Sequence, residues 1–275
     1  MGVLGKTFSK VFPKQKFMIE TVLKVKNLKW LTSDIFELKL EALELLPVIK
    51  AGQFAHIAIP NGGDNLLRRP FCLHKWDNKT ITLLIAVVGK GTEKLALLKK
   101  GDTVYGTLPL GNGFDVSASV SKVAIIAGGV GVAPLLQVPN LKQNTEYRAY
   151  LGFANSGKML AYKDYQKNCN KIVVSTDDGS FGIKGNPIDA FMLDYNDGFV
   201  PDVILSCGSH GLINAVKKMS QKLKIKAYMS GEIRMGCGVG ACLVCACAIK
   251  QPDGSVKNLR ACVEGPVFDL EEVVL

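Results

Sequence analysis

The stretch Val123-Ala-Ile-Ile-Ala-Gly-Gly-Val-Gly-Val-Ala-Pro134 decides the fold class of the second half of this 275-residue chain. Its first five residues are all apolar, which predicts a strand buried on both faces. The glycines that follow predict a tight turn, and we expect a helical stretch after it. Outward from this stretch, strands are predicted at 146–152, 171–176 and 202–207, with helices between them, notably over 211–223. Strands that alternate with helices build a parallel sheet, so the sequence predicts an α/β domain.

The glycine-rich turn within this stretch is a candidate phosphate-binding loop. Backbone N–H groups and a helix N-terminus together favour an anion, and glycine lets a ligand approach the backbone closely. The turn departs from the G-x-G-x-x-G pattern because Pro134 follows it. A tight turn that binds no ligand is therefore the alternative. The candidate nucleotide-binding residues here are Gly128, Gly129 and Gly131.

The first half of the chain has a different pattern. Short segments rich in β-branched residues are separated by turns, and they predict a small antiparallel β-barrel with one helix at 92–100. The segments are 19–26, 35–40, 54–59, 80–87 and 103–108. A serine-rich stretch at 115–121 is the best candidate hinge between the two halves. We predict an N-terminal arm at 1–17, a barrel domain at 18–116, an α/β domain at 117–230 and a C-terminal module at 231–275.

The cysteines are concentrated in the C-terminal module. Five of the eight fall within 26 residues, in the order Cys237-x4-Cys242-x2-Cys245, then sixteen residues, then Cys262, with Cys247 as the fifth. This is the plant-type spacing for a [2Fe–2S] cluster, in which four thiolates hold two irons. Three glycines around the first ligands would allow the loop to wrap the cluster closely. They are Gly236, Gly238 and Gly240.

Two other interpretations of these cysteines stay open. A structural zinc site uses similar ligands, although zinc usually has paired C-x2-C knuckles. Inert buried thiols would not be expected to show this spacing together with three glycines. We interpret Cys247, which lies two residues after Cys245 in an apparent strand, as a packed thiol. A ligand exchange that uses Cys247 is the alternative.

Charge and hydropathy exclude several classes of protein. The chain has 34 Lys and Arg against 24 Asp and Glu, while residues 231–275 have four basic and six acidic residues. The positive body can attract an anionic cofactor, but no basic block with interleaved aromatics indicates nucleic-acid binding. The longest stretch without a polar side chain, 123–136, is too short to span a bilayer. Without a recognisable signal peptide, we expect a cytoplasmic protein with reduced thiols.

One more motif lies in the barrel half. In Leu66-Leu-Arg-Arg-Pro-Phe-Cys-Leu73, an Arg beside a rigid Pro can present its guanidinium to a phosphate. A solvated Arg pair in a loop is the alternative. Two glycine turns, Val88-Gly-Lys-Gly-Thr92 and Pro109-Leu-Gly-Asn-Gly-Phe114, follow in the same half and are weaker candidates for ligand contact.

Taken in order along the chain, these motifs resemble the ferredoxin-reductase family. The closest resemblance is to the branch formed by the electron-transfer subunits of NAD-dependent (class 1B) dihydroorotate dehydrogenases, and it covers nearly all of the chain after residue 18. Its specific marks are Ala51-Gly-Gln-Phe54, Leu67-Arg-Arg-Pro70, Pro109–Phe114, Asp177-Asp-Gly-Ser-Phe-Gly182, Arg234–Cys242 and Cys262-Val-Glu-Gly-Pro-Val-Phe268.

The resemblance implies a ferredoxin-reductase-like fold in which the barrel binds FAD and the parallel sheet binds NAD, the latter at the Gly128–Gly131 turn. The implied FAD contacts are Arg69, Pro70, Phe71 and Cys72 of an Arg-Pro-x-Ser motif, Ile85, Ala86 and Val87 of a strand along the flavin, and Gly91 and Thr92 at the phosphates. Cys72 departs from the usual Ser, and a thiol is a poorer hydrogen-bond donor. A second departure is His210, where the family has a Pro-containing turn; we interpret it as a helix-start residue.

The function implied is electron relay, with no catalytic residue in this chain. Dihydroorotate would be oxidised at FMN in a separate catalytic subunit, and electrons would pass through the [2Fe–2S] cluster to FAD and NAD+ in pyrimidine biosynthesis. The implied assembly is a heterotetramer of two plus two subunits, with an exposed surface at 235–245 facing the partner. His56 lies in an apolar strand, so we interpret it as a core residue. The alternatives are a similar subunit of another redox complex, and a metal-binding protein that has lost its flavin.

Overall fold

The structure, a computed structural model, describes residues 18–60 and 66–275. The predicted arm at 1–17 and most of the turn after Pro60 lie outside these residues. Within the described ranges the chain forms two seven-stranded sheets and one two-stranded sheet.

The first sheet is the predicted antiparallel barrel. Its strands are β1 (Ile19–Trp30), β2 (Ile35–Ala42), β3 (Phe54–Ile57), β4 (Arg69–Cys72), β5 (Lys75–Trp76), β6 (Thr80–Ala86) and β7 (Thr103–Leu110), in the spatial order β4-β3-β7-β1-β2-β6-β5. Alternate residues of β2, namely Phe36, Leu38 and Leu40, are fully buried. The period of two therefore places one face of β2 in the barrel core.

The helix of the barrel domain differs from the prediction. Helix α1 (Lys90–Ala96) begins two residues earlier than the predicted 92–100 and ends earlier. The hydroxyl of Thr92 accepts the backbone N–H of Val88 at 2.9 Å and donates to the carbonyl of Gly89 at 3.0 Å. Thr92 therefore closes the first turn from inside the helix instead of starting it.

The second sheet contains the predicted α/β domain. Along the chain it comprises β8 (Lys122–Gly128), β9 (Glu146–Phe153), α2 (Tyr162–Asn168), β10 (Lys171–Thr176), β11 (Ile183–Lys184), α3 (Pro187–Asn196), β12 (Val203–Cys207), α4 (His210–Leu223) and β13 (Lys226–Ser230). The pairs from β11 across to β13 are all parallel, with β8 between β9 and β12. The fold class predicted from the alternation of strands and helices is confirmed.

The helical stretch expected after the glycine-rich turn is not an α-helix, so that prediction is wrong. The chain makes two short 3-10 turns there, at Gly129–Val132 and Val138–Asn140. Pro134 and Pro139 each lack the N–H that an α-helix would use, which explains why no regular helix propagates. A phosphate at this turn would therefore have backbone N–H groups to bind but no long helix dipole.

The C-terminal module is joined to both larger parts. It contains the hairpin β14 (Ala246–Lys250) and β15 (Val256–Arg260), followed by β16 (Val267–Asp269). Strand β16 pairs antiparallel with β13 and so completes the second sheet, in the order β11-β10-β9-β8-β12-β13-β16. The core of the module continues into the core beneath that sheet, where Phe268 packs with Met229. The structure is therefore continuous across the predicted boundary at residue 231.

The glycine turn at 109–114 has a structural role in this junction. Asn112 donates its side-chain amide to the backbone carbonyl of Glu264 at 2.8 Å, and its backbone N–H to the carbonyl of Gly265. A Cβ at Gly111 would lie 2.6 Å from the Cδ atom of Pro266, so only glycine fits. Two of the sequence marks, 109–114 and 262–268, are thus packed against each other.

Direct contacts also join the barrel to the α/β domain. Lys75 pairs with Asp164 at 2.8 Å, and Lys158 pairs with Asp34. His74 is buried, and its Nδ1 lies 3.2 Å from the carbonyl oxygen of Ala133. Among residues 18–60 and 66–275, no helix is both long and apolar enough to cross a membrane.

Candidate cofactor sites

The four predicted ligand cysteines come together as two pairs. In the loop, the thiol of Cys237 accepts the N–H groups of Ala241 and Cys242 at 3.3 and 3.4 Å, and the thiol of Cys242 accepts the N–H of Cys237 at 3.3 Å. The sulfurs of Cys245 and Cys262 are buried and lie 3.3 Å apart. Two thiolates on one tetrahedral metal at about 2.3 Å would lie about 3.8 Å apart, close to this spacing.

Local structure explains both pairs. Cys245 directly precedes β14, and Cys262 follows β15 with one residue between them, so the hairpin brings the two cysteines together. The backbone N–H of Ala261 donates to the carbonyl of Cys245 at 2.9 Å. The loop before the hairpin is turned by glycines with positive φ, +73° at Gly238 and +85° at Gly240. An L-residue at either position would be strained.

The electrostatics of the loop favour a thiolate at its start. Burial opposes ionisation of Cys237, but the backbone N–H groups of Val239, Cys242 and Ala241 lower the pKa of its thiol to about 7. Burial, followed by the neighbouring thiol of Cys245, raises the pKa of Cys262 to about 12. Backbone donors around one sulfur and a buried pair beside it form a donor set that suits a metal–sulfur group.

The pairing of the thiols is compatible with a group that has two metals. Among the described residues, no three or more Cys, His, Asp or Glu side chains are placed to share one ion. Two pairs of thiols that lie near each other are what a [2Fe–2S] cluster needs, since each iron takes two protein thiolates. Cys247 is buried within β14 among apolar side chains, as the packed-thiol interpretation predicts.

The Arg-Pro motif and the Gly-Thr turn of the barrel lie side by side. A Cβ at Gly91 would be 3.3 Å from the Nε atom of Arg69, so the guanidinium group rests on this glycine. Arg69 is held by the carbonyl of Leu67, to which its Nη1 donates at 2.7 Å. The structure therefore brings together residues from β4 and from the first turn of α1 that lie more than twenty positions apart in the sequence.

The remaining candidate flavin residues line the same side of the barrel. Pro70, Phe71 and Cys72 are half-buried on β4, and Ala86 and Val87 are half-buried at and after the end of β6. Ile85 differs because its side chain is fully buried in the barrel core. A ligand on this side could therefore meet only the backbone of Ile85.

Three ionisable groups from different parts of the chain meet at the boundary of the barrel and the sheet. Burial, followed by the carboxylate of Glu232, raises the pKa of Cys72 to about 12. Burial, followed by Cys72 and Glu232, also raises the pKa of Cys207 at the end of β12. Both thiols are therefore neutral at pH 7, beside a carboxylate. Sequence reasoning missed Glu232, whose position just after the end of β13 is the signal that could have found it.

The three candidate glycines of the α/β domain have different roles. A Cβ at Gly131 would be 2.5 Å from the carbonyl oxygen of Cys207, and one at Gly128 would be 3.0 Å from the Cδ2 atom of Leu212. These two glycines allow the turn to pack against the β12–α4 connection. Gly129 has a φ of +54° and open space where a Cβ would point. Of the three, Gly129 is the one with room for a ligand.

The turn lies where a nucleotide is expected. In open α/β sheets, ligands bind at the carboxyl ends of the strands, where neighbouring connections diverge, and here that point is between β8 and β12. Ser209 caps α4 by accepting the N–H of Leu212 at 3.3 Å, and His210 is the first helical residue. His210 is thus a helix-start residue, as expected, and its Nδ1 lies 3.0 Å from the Nδ2 of Asn214.

His56 lies between the barrel motif and the cysteine loop. It is buried on β3, where its register partner on β4 is Pro70. A Cβ at Gly238 would be 2.6 Å from the Nδ1 atom of His56, so the imidazole ring contacts the loop beside Cys237. Burial lowers the pKa of His56, while the backbone carbonyls of Arg68 and Cys237 oppose that shift. The interpretation of His56 as an ordinary core residue is incomplete, because no local sequence signal marks this contact.

An antiparallel barrel, a parallel sheet with its carboxyl edge toward the barrel, and a four-cysteine module define a ferredoxin-reductase-like protein. Solved structures have the same fold. An NADH-dependent reduced ferredoxin–NADP oxidoreductase matches with a TM-score of 0.82 at 24% identity, covering 92% of this chain and 89% of its own. Phthalate dioxygenase reductase matches with a TM-score of 0.64 at 16% identity, covering 96% and 100%. At these identities the likeness supports the fold alone.

Proteins of similar sequence identify the family within this class of fold. Residues 232–274 match the family model for the iron–sulfur cluster binding domain of dihydroorotate dehydrogenase B. The dihydroorotate dehydrogenase B (NAD(+)) electron transfer subunit of Clostridium acetobutylicum is 37% identical over 263 residues, which cover 95% of this chain and 99% of the relative. The subunit of the same name from Streptococcus pneumoniae strain R6 is 38% identical over 247 residues, covering 88% and 93%.

The chain therefore belongs to the family of dihydroorotate dehydrogenase B (NAD(+)) electron transfer subunits. The predicted family resemblance is confirmed, and the chain is an electron-transfer component of an oxidoreductase. The individual site residues and the domain boundaries stay predictions.

Proposed function

We propose that this chain links a dihydroorotate-oxidising, FMN-containing catalytic subunit to NAD+, using a [2Fe–2S] cluster and FAD. The observation that carries the proposal is the contact between His56 and Gly238, through which the cysteine loop packs on the flavin-motif side of the barrel. Electron transfer between two carriers requires that they be held close together, and this packing supplies that proximity.

The four cysteines would hold the cluster, with Cys237 and Cys242 on one iron and Cys245 and Cys262 on the other. When bound, the cluster supplies one-electron transfer, and the flavin exchanges single electrons for a hydride. The protein contributes the position of the thiolates and the N–H groups that surround them. Arg260, whose Nη1 donates to the carbonyl of Gly240 at 3.2 Å, holds the loop from the side of the module.

The FAD would lie along β4 and the end of β6. Arg69 would bind its diphosphate together with the backbone of the Gly91-Thr92 turn, because the guanidinium group already rests on that turn. Pro70, Phe71, Cys72, Ala86 and Val87 would border the flavin ring. Since the thiol of Cys72 is neutral and a weak donor, it would contact the ring mainly by packing.

NAD+ would bind at the carboxyl edge of the parallel sheet, with its diphosphate at the Gly128-Gly129 turn. The nicotinamide would approach the flavin where Cys72, Cys207 and Glu232 meet, because that point lies between the barrel motif and the sheet edge. The thiols there are neutral, so they can exclude water from the hydride path without acting as nucleophiles.

The catalytic subunit would dock on the cluster rim, which we define as Val239, Leu243 and Val244 around the exposed Cys242. These three apolar side chains are 38, 63 and 57% exposed. Exposed apolar side chains that cluster beside a redox centre indicate an interface. In the complete assembly we expect two copies of each subunit, acting in pyrimidine biosynthesis in the cytoplasm.

The decisive experiment is coexpression with the candidate FMN-binding catalytic subunit of the same genome. We expect the purified complex to show flavin and iron–sulfur absorbance and to reduce NAD+ with dihydroorotate, whereas this chain alone does not. A colourless, zinc-containing chain would contradict the proposal. Coloured protein without a dihydroorotate-dependent partner would favour the alternative, a similar subunit of another redox complex.

A charge on the cluster rim tests the docking surface separately. Leu243→Glu should abolish copurification with the catalytic subunit and leave the absorbance of this chain unchanged. The matched control is Val200→Glu, which places the same charge at a 52% exposed position before β12. Equal copurification of the two variants would contradict the proposed surface.

A further inference from the structure

The imidazole ring of His56 occupies the space in which a side chain at position 238 would lie. A Cβ placed at Gly238 would lie 2.6 Å from the Nδ1 atom of His56 and 3.1 Å from the Cγ and Cε1 atoms of the ring. Gly238 directly follows the ligand Cys237, so any movement of the ring changes the space available to that segment. His56 is itself fixed by the pairing of β3 with β4, opposite Pro70 of the flavin motif.

One nitrogen of this ring has no partner. Among the described residues, His56 Nε2 is a buried side-chain atom without a hydrogen bond, and the residue is 2% exposed. The ring is therefore held by packing and by the pairing of β3 with β4, and the segment at 237–238 packs directly on it.

We infer that His56 is a positioning residue for the [2Fe–2S] cluster, acting from the flavin-binding barrel through the backbone of Cys237 and Gly238. The inference rests on the proposed function and deepens it, because it identifies how the barrel controls the adjacent redox centre. The ring sets where the first ligand lies. The placement of the ligands in turn helps to set the reduction potential of the cluster.

The test uses the complex of this chain with its catalytic subunit and three variants. His56→Gln keeps a polar side chain in the space beside Gly238, whereas His56→Ala empties that space. The matched control is His74→Gln, which changes another buried histidine of the same barrel that contacts Ala133 instead of the loop. Iron and flavin content, the electron paramagnetic resonance spectrum of the reduced cluster, and its midpoint potential are measured for each.

We expect His56→Ala to retain flavin but to show an altered cluster spectrum, a shifted midpoint potential and cluster-to-flavin electron transfer slowed by about tenfold or more. His56→Gln should restore most of the wild-type spectrum and rate. His74→Gln should leave the spectrum unchanged. The midpoint potential distinguishes positioning of the ligand from a general loss of stability, because a less stable fold that still holds its cluster would keep the wild-type potential.

A wild-type spectrum and potential in His56→Ala would overturn the inference, as would a change confined to the flavin. If His56→Ala does not fold, the His56→Gln variant is used as the test instead. A His56→Gln protein whose spectrum shows no cluster at all would also overturn the inference. Failure of the proposed function is seen separately, since the wild-type complex would then lack flavin, cluster or dihydroorotate-dependent NAD+ reduction.

Discussion

The side-chain amide of Asn112 donates to the backbone carbonyl of Glu264 across the junction between the barrel and the cysteine module, at 2.8 Å. The backbone N–H of Asn112 is bonded to the next carbonyl, that of Gly265, so one residue closes the junction with two hydrogen bonds. Glu264 in turn accepts the backbone N–H of Arg260 at 2.6 Å, and Arg260 holds the cysteine loop. The junction is therefore connected to the cysteine loop through hydrogen bonds.

We expect Asn112→Ala to weaken this junction. Loss of the side-chain bond should lower the free energy of unfolding by about 1 kcal/mol. It should also speed the loss of iron–sulfur absorbance on exposure to a chelator, because the module separates more easily from the barrel. The control is Asn196→Ala at the exposed end of α3. Identical bleaching of the two variants would show that the junction does not protect the cluster.

The ligand assignment is tested by single cysteine variants. Cys262→Ala should lose the cluster spectrum, since it removes one thiolate of the buried pair. Cys247→Ala should keep full iron content and lose only about 1 kcal/mol of stability, because it removes one packed sulfur atom from the core. Iron and sulfide analysis checks both variants. A Cys247→Ala protein without iron would indicate that Cys247 is a ligand.

Sequence reasoning worked where the chemistry is local. The spacing of the four cysteines is set by the loop and the hairpin that carry them, so it can be seen in one short segment. The buried strand at 123–127 was equally clear, because both of its faces are covered. The helix predicted after it does not form, because Pro134 and Pro139 each lack the N–H that an α-helix would use.

Sequence reasoning failed where a role depends on a distant neighbour. His56 has an apolar sequence context, and only the packing of residue 238 against it shows its relation to the cluster. Glu232 becomes notable only beside Cys72 and Cys207, which come from two other parts of the chain. The turn at 109–114 resembled a ligand loop, yet its glycines and Asn112 join two modules. Tertiary proximity of this kind leaves no periodic signal in a single sequence.

The flavin site is tested at Arg69. Arg69→Lys keeps the positive charge but loses the planar guanidinium that rests on Gly91, so FAD affinity should fall by about tenfold or more. Titration of the flavin-free protein with FAD, followed by flavin fluorescence, measures the change. The adjacent Arg68→Lys is the control, because Arg68 pairs with Glu20 and Thr107. A larger effect at Arg68 than at Arg69 would contradict the assignment of the phosphate contact.

An ion cluster around the buried Asp194 of the α/β domain makes stability depend on pH. Asp194 of α3 accepts the Nζ of Lys171 at 2.6 Å, the hydroxyl of Tyr150 at 2.9 Å and the Nη1 of Arg148 at 3.1 Å. Burial alone would raise the pKa of Asp194, but the three donors outweigh it and lower the pKa below the ordinary value of 3.8.

Because its pKa is lower in the folded state, Asp194 stabilises the fold above the unfolded pKa, and this stabilisation is lost as pH falls through the folded pKa. Asp194→Asn should therefore cost about 2 kcal/mol at pH 7, where it removes the carboxylate that pairs with Lys171 and leaves Arg148 paired only with Glu146. The difference between wild type and variant should shrink as pH falls below about 4. Urea unfolding of the flavin-loaded protein between pH 3 and 7 measures it, with the exposed Asp197→Asn as control. A difference that stays constant over this range would mean that the charge on Asp194 does not stabilise the domain.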